Sequence, residues 1–380
     1  LLIKTIVTVV LLEITFTIKF RLAGTIATLM VMVSSQTEYK TLLTISILTG
    51  ISIFLFSTSI VTGPADISIK DIGQGIMRTF GADPTEMSGS SAIVSVIRIP
   101  RVLLGVFVGA ALGISGAALQ GLFRNPLVDP GLIGVSSGGA LGASIWIIFG
   151  SSLSFIPEYL TIFMIAVFAF LGSLIAMLLV YQIGSRRGHV SVAAMLLAGI
   201  AINALAAAAL GFLIFVSDDT QLRSINFWTL GSLGGAVWSK IWPSLLIISI
   251  ATLLILRDCK NLNLFAIGEA DAKHLGCDTV KLKRRMVVLP AMATAAAVSV
   301  SGIIGFIGLV APHLIRLMVG ADHRLVLPGS ALLGISLILT ADILARTAVA
   351  PAELPLGIIT SLIGAPFFIW LLIKQKGWTT

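Results

Sequence analysis

The residues best equipped for chemistry in this sequence are charged side chains set against long apolar runs. Arg98 and Arg101 flank Pro100, Arg346 follows an aliphatic run, and Asp129, Asp342 and Glu353 lie beside or within apolar stretches. Ion pairing and proton relay are the chemistries such groups offer, because carboxylates inside a membrane are often functional. All three acids fall near expected helix ends, where Asp can cap and Glu can reach water, so their reading is structural. The four histidines, His189, His274, His313 and His323, lie in or beside the loops that hold most of the basic residues. A lone loop histidine is ordinarily solvated. The sequence has no GxxxxGK phosphate loop, no HExxH pair and no clustered acids for a metal. Such residues suit recognition and movement better than bond making.

The elements that must position them are set by composition. Of 380 residues, 57% are hydrophobic and 11% charged, and the mean hydropathy is +1.06. A soluble domain carries about a quarter charged residues, so the outer face here meets lipid, where apolar side chains cost nothing. Runs near the ~20 residues needed to cross a bilayer recur along the chain. Ten are expected, near 42–62, 102–121, 132–150, 159–183, 191–216, 241–256, 286–304, 307–320, 325–346 and 355–374. The fold class is therefore all-α and polytopic, with broken segments. A domain of 41–376 follows an extension, 1–40, that is apolar but interrupted by Lys4, Glu13 and Lys19 and receives no role.

Alternate loops differ in charge. One set holds Arg124, Arg186, Arg187, Arg257, Lys260, Lys273, Lys281, Lys283, Arg284, Arg285, Arg316, Arg324, Lys374 and Lys376; the other holds Lys70, Arg78, Arg98, Arg101, Arg223, Lys240 and Arg346. Fourteen against seven places the first set, and both ends of the ten-span domain, in the cytoplasm. The net charge of +8 thus reflects topology and not a nucleic-acid surface. Cys259 and Cys277, both in the most basic loop, are expected as free thiols in a reducing compartment.

Small residues at four-residue steps, Gly105, Gly109, Gly113, Ala117 and Gly121, and again Gly134, Gly138 and Gly142, predict close helix packing. Gly302, Gly305, Gly308 and Pro312 disfavour a regular helix. The spacing predicts non-helical chain followed by a half-helix from about Ala311 to Met318. The third span also starts after Asn125-Pro126 and Asp129-Pro130-Gly131, and broken segments in both halves hint at an inverted repeat. In the cytoplasmic loop 257–285, Asn263 is expected to cap a helix that Gly276 ends, with Leu264, Ile267 and Leu275 on a partial apolar face.

These motifs bring a family into view. Arg98-Ile-Pro-Arg101, then GAALGISGAALQGLFRNPLVDPGLIGVSSGGALGA (109–143), GFIGLVAPHLIRLMVGADHRLVLPGSALLG (305–334) and ADILARTAVAPAELPLGIITSLIGAPFFIWLLIK (341–374) resemble permeases of ABC importers for iron chelates, haem and cobalamin. The resemblance implies the type II importer permease fold in a bacterial cytoplasmic membrane, a homodimer, two ATP-binding subunits and a periplasmic substrate-binding protein. It implies that ATP and magnesium are bound by the partner and no cofactor or metal by this chain. It implies that Arg98, Arg101 and Arg346 receive acids of the binding protein, with helix-end snorkelling as the plain alternative. Asn125, Pro126 and Leu127, with Ser191 and Val192, would close the cytoplasmic mouth, although Val192 and Ala193 stand where some relatives have hydroxyl residues. Leu264, Ile267, Gly268, Glu269 and Leu275 would form the helix that couples to the ATPase. The outer segment 217–235 most resembles the haem branch, with ferric siderophore and cobalamin as alternatives. An ion-coupled secondary transporter is the rival class; it would need neither ATPase nor coupling helix.

Overall fold

The computed structural model describes residues 42–63, 65, 67–79, 81, 89–150, 157–186 and 189–376. The extension 1–40 and Arg187 lie outside the described residues. The chain divides into Leu1–Ile47 and Leu48–Thr380. Of the first unit only the opening turns of a helix are described, and the packing below concerns the second.

Helix α1 covers Leu42–Val61. A surface helix, α2 (Ile69–Thr79), leads to α3 (Gly89–Ile93), which a π-helical turn at Val94–Arg98 joins to α4 (Ile99–Phe123). A 3-10 turn, Pro130–Ile133, precedes the short α5 (Val135–Phe149). Then come α6 (Glu158–Gly184), α7 (Val192–Val216), the short helix α8 (Asp219–Thr229) and α9 (Trp238–Arg257). The loop helices α10 (Cys259–Ile267) and α11 (Glu269–His274) follow, then α12 (Thr279–Ser301), α13 (Ile307–Val319), α14 (His323–Thr347) and α15 (Leu356–Lys376). A two-residue antiparallel ladder pairs β1 (Ser185–Arg186) with β2 (His189–Val190) between α6 and α7.

Among the described residues six helices are long and apolar enough to cross a membrane, and α5, α13 and α15 contain shorter apolar stretches. The tenth, α12, carries Lys281, Lys283, Arg284 and Arg285 in its first turns and is apolar beyond them. The ten expected spans are therefore matched in order and place. The helices α2 and α8 were not anticipated; Asp218 starts α8 through a capping box with Gln221.

Glycine spacing fixes the packing. A Cβ on Gly109 would lie 2.5 Å from the Gly334 carbonyl oxygen, and one on Gly113 would lie 2.1 Å from that of Ser330, so α4 and α14 run antiparallel with backbones in contact. Lipid offers no hydrophobic drive between helices, so close van der Waals contact must hold them. Both cysteines are free, Cys277 buried and Cys259 partly so.

The break between α12 and α13 is shorter than expected. Chain from Gly302 (φ +69) to Phe306 (φ +69) is irregular, but α13 begins at Ile307, four residues before the predicted start, and takes in Gly308. In the cytoplasmic loop the single helix expected from Asn263 to Gly276 is instead two, parted at Gly268, and Asn263 lies inside α10. Its side chain is engaged by His323 and Asp322 across the chain, which leaves it no capping role.

Gly109→Val should lower stability in detergent by about 1–3 kcal/mol, the usual cost of forcing atoms into a packed site. Gly50→Val, with nothing within 4 Å of the added atom, should stay within about 0.5 kcal/mol. Thermal unfolding of the two variants followed by circular dichroism checks the contrast; equal melting temperatures would refute the contact.

Candidate functional site

At one end of the bundle the three predicted arginines do converge, but inward. Arg98, Arg101 and Arg346 are 4%, 6% and 4% exposed, and Asp342 is fully buried. Arg98 ends the π-helical turn, and its guanidinium donates to the carbonyls of Ile60 (2.8 Å), Val61 (2.7 Å) and Ala65 (2.6 Å). Arg346 donates to Thr62 O (2.9 Å), Ser59 O (3.2 Å) and Ser59 Oγ (2.8 Å). Both thus cap the last turn of α1, whose carbonyls have no intrahelical donor.

Asp342 lies between two cations. Arg101 Nε donates to Asp342 Oδ1 at 3.0 Å, and Arg346 Nε is 3.1 Å from Oδ2. The remaining donors of Arg101 form a two-pronged pair with Glu353 at 2.8 and 2.9 Å. Glu353, 38% exposed, is the member of the cluster that reaches the surface. The Arg101 hydrogen bonds hold its carboxyl below the usual carboxylate range, against a smaller raising effect of burial. A carboxyl whose folded pKa is lowered stabilises above its unfolded pKa and stops doing so as pH falls through the folded value. The pair is therefore intact at neutral pH and lost only in acid. Asp129 accepts from Gly131 N at 2.8 Å and caps the 3-10 turn, as its structural reading required. For Asp342 the helix-end assignment gives way to a buried charge triad.

At the opposite end Arg124 takes a left-handed conformation (φ +49) and terminates α4. Asn125 Oδ1 accepts from Leu127 N at 2.9 Å and Asn125 O from Val128 N at 3.3 Å, giving the turn that Pro126 favours. Ser191 caps α7 by accepting from Ala194 N, and Val192 opens the helix. Val128, Val192, Leu264 and Phe265 all belong to or pack against one apolar cluster, so turn, α7 and α10 share a core.

The coupling residues divide by exposure. Ile267 and Leu275 are 67% and 59% exposed, apolar surface facing out from a polar loop. Leu264 is partly buried, and Gly268 sits extended between α10 and α11. Glu269 accepts from Lys283 Nζ at 2.7 Å through both oxygens, and this hydrogen bonding lowers its pKa. Arg124 donates to Phe265 O and stacks 4.7 Å over the Phe265 ring.

One reading needs correction. His323 is buried, not solvated: its Nδ1 lies 2.8 Å from Asn263 Oδ1 and its ring abuts Gly121. The run Gly134-Val-Ser136-Ser137-Gly138 has the GxSxG spacing of hydrolase nucleophiles. It follows a 3-10 turn instead of a strand, so its central serine, Ser136, does not sit on a strand-to-helix elbow. Sequence reasoning also passed over Gln120 and Asn203, lone amides in small-residue helices; that isolation was the available signal. A cavity of about 430 Å³ opens between α5, α7 and α8, lined by Ser136, Ser137, Asn203, Asn226 and Thr229 among small apolar residues.

Comparison with known proteins places this geometry. The model of the FecCD transport family matches residues 51–374. The chain is similar to the hemin transport system permease protein HmuU of Yersinia pestis, 51% identical over 280 residues, covering 74% of this chain and 83% of that protein. It is similar to the cobalamin import system permease protein BtuC of Halobacterium salinarum, 41% identical over 297 residues, covering 78% of this chain and 76% of that one. A solved structure described as an inward-facing conformation of a metal-chelate type ABC transporter superposes with a TM-score of 0.75 at 31% identity, covering 87% of this chain and 98% of its own.

Asp342→Leu would leave Arg101 and Arg346 buried and facing each other, and should cost about 3–5 kcal/mol, as breaking a buried ion pair does. Glu353→Gln, at a site open to water, should cost less than about 1 kcal/mol. Chemical denaturation of both variants in detergent reads the difference, and a reversed order would contradict the buried triad.

Proposed function

The chain belongs to the FecCD transport family, and from that premise we propose that it moves haem into the cytoplasm as the homodimeric permease of an ABC importer. It is a multi-pass transport subunit, not an enzyme. Energy comes, in this reading, from ATP and magnesium held by two partner subunits, and cargo from a periplasmic binding protein; the chain itself binds no cofactor. The membrane is the bacterial cytoplasmic one, with both ends of the 41–376 domain inside. The observation that carries the choice of haem is the 51% identity to a hemin permease, against 41% to a cobalamin permease over a similar span.

Several features support the parts. Helix α7 has only 17% of its apolar window buried within the chain, and a face bearing Leu197, Ala204, Ala208 and Phe215 is open. A second copy would cover it. The cavity beside α7 offers hydroxyls and amides and no imidazole, thiol or carboxylate among its lining residues. A route must bind weakly enough to release, and such a lining would not ligate iron.

Three guanidinium groups outnumber two carboxylates at the outer end, where a positive potential favours an acidic binding protein. Arg98, Arg101 and Arg346 would act in docking through that field, since their side chains are internally bonded. Asn125, Pro126, Leu127, Ser191 and Val192 would form the cytoplasmic gate. The exposed Ile267 and Leu275, with Leu264, Gly268 and Glu269, would seat in the ATPase.

Proteoliposomes holding this chain and its ATPase subunit, offered haem, a ferric siderophore and cobalamin, each with its binding protein, should accumulate haem on addition of ATP. Siderophore or cobalamin uptake without haem uptake would overturn the substrate; accumulation on an ion gradient without ATP would overturn the class. In the same vesicles Ile267→Lys, and Gly268→Pro, which cannot keep the observed φ of +165°, should abolish uptake while the permease remains folded. Unchanged uptake would remove the coupling role.

A further inference from the structure

A single amide joins the half-helix, the turn after α4 and the coupling segment. Pro312 has no N–H, so the Gly308 carbonyl four residues earlier lacks its helical donor. Gln120, buried in α4, supplies one: Nε2 lies 3.1 Å from Gly308 O. The other hydrogen of that nitrogen points to Val128 O at 3.3 Å. Oε1 accepts from Arg316 Nη1, two turns further along α13. The main-chain oxygen of Gln120 accepts from Arg124 N and, at 3.2 Å, from Asn125 N. Residue 120 therefore holds α13 at two points and the turn through both side chain and backbone.

Its neighbours in α4 face the opposite way. Gly121 packs so tightly on His323 that a Cβ would lie 2.4 Å from the imidazole Nε2. His323 in turn gives its backbone N–H to Asn263 Oδ1 at 2.8 Å, and Asn263 sits on α10. Arg124 donates to Phe265 O, also on α10. One helical turn of α4, residues 120–124, thus has the loop helix on one side and the gate turn with α13 on the other.

We propose that Gln120 is a positioning residue for transport, the pin through which displacement of α10 reaches the gate turn and α13 as one body. The inference rests on reading 125–127 as the gate and α10 with α11 as the coupling segment. A water-filled or loosely packed junction would dissipate such a displacement; here every polar group of Gln120 has a partner, and buried networks that are fully satisfied are rigid.

The test uses the permease with its ATP-binding subunits in lipid nanodiscs, with Cys259→Ser and an environment-sensitive fluorophore on Lys260→Cys in α10 or on Leu127→Cys in the gate turn. In the background carrying Gln120, ATP should shift both reporters. With Gln120→Leu the α10 reporter should still respond, while the response at 127 falls at least about fivefold, the low end of usual coupling between sites. Gln120→Glu, which keeps the acceptor for Arg316 and loses both donated bonds, should give an intermediate response and decides the matter if the leucine variant misfolds. Equal responses at 127 with and without Gln120 would overturn the proposal, as would loss of both responses at an unchanged melting temperature. Silence of both reporters with Gln120 in place would sink the coupling reading itself, and this proposal with it.

Discussion

Inside a bilayer no water is at hand for a backbone carbonyl that its helix has left unpaired, and each such group costs several kcal/mol if abandoned. That requirement organises this molecule. The last turn of α1 is closed by Arg98 and Arg346, which come from elsewhere in the chain. The π-helical turn exposes the Ser95 carbonyl, and Trp238 Nε1 meets it at 2.9 Å. The gap that Pro312 opens in α13 is met by Gln120. In each case the donor sits on another element, so satisfying a local defect also ties two helices together. Polar residues in this bundle serve as joints because the backbone breaks demand them.

What the sequence revealed follows from the same reasoning. Ten spans could be placed because apolar length is a direct physical requirement, and a close-packing face on α4 because Gly109 and Gly113 recur at four-residue steps, though only the structure shows that α14 meets it. The break before α13 was marked by Gly302 and Pro312, but its extent was not. Gly308 joins the helix since a side chain 188 residues away completes it, and no local propensity carries that information. The cytoplasmic loop showed its helical tendency and not its division at Gly268.

Charged residues were legible in kind and not in direction. Arg98 and Arg101 read as surface cations because they begin a span, and Asp342 as a helix-end acid because Arg346 follows close by. Their partners lie far off in sequence: Arg101 meets Asp342 across 241 residues. Only packing could show that a single carboxylate lies within ion-pair distance of two guanidinium groups at 0% exposure. The buried state of His323 was hidden for the same reason, since Gly121, the residue that covers it, had already been assigned to a packing stripe.

The two ends of the bundle are consequently held by different means. At the end that holds Arg98, Arg101 and Arg346, several multidentate, buried contacts bind α1, α4 and α14, so separating any one helix exposes charge. At the other end α10 is joined to the bundle by Arg124 on Phe265 O, by Asn263 with His323 and Asp322, and by Leu262 and Phe265 in the shared apolar core. Arg124, the residue that makes the first of these, also occupies left-handed backbone that a non-glycine side chain adopts only under constraint. Apolar burial and hydrogen bonds to the backbone thus act together on α10, which makes its joint with α4 a packed one. One end of the bundle is clamped by charge and the other by packing around the last turn of α4, and residues 120–124 are where α10, the turn after α4 and α13 meet.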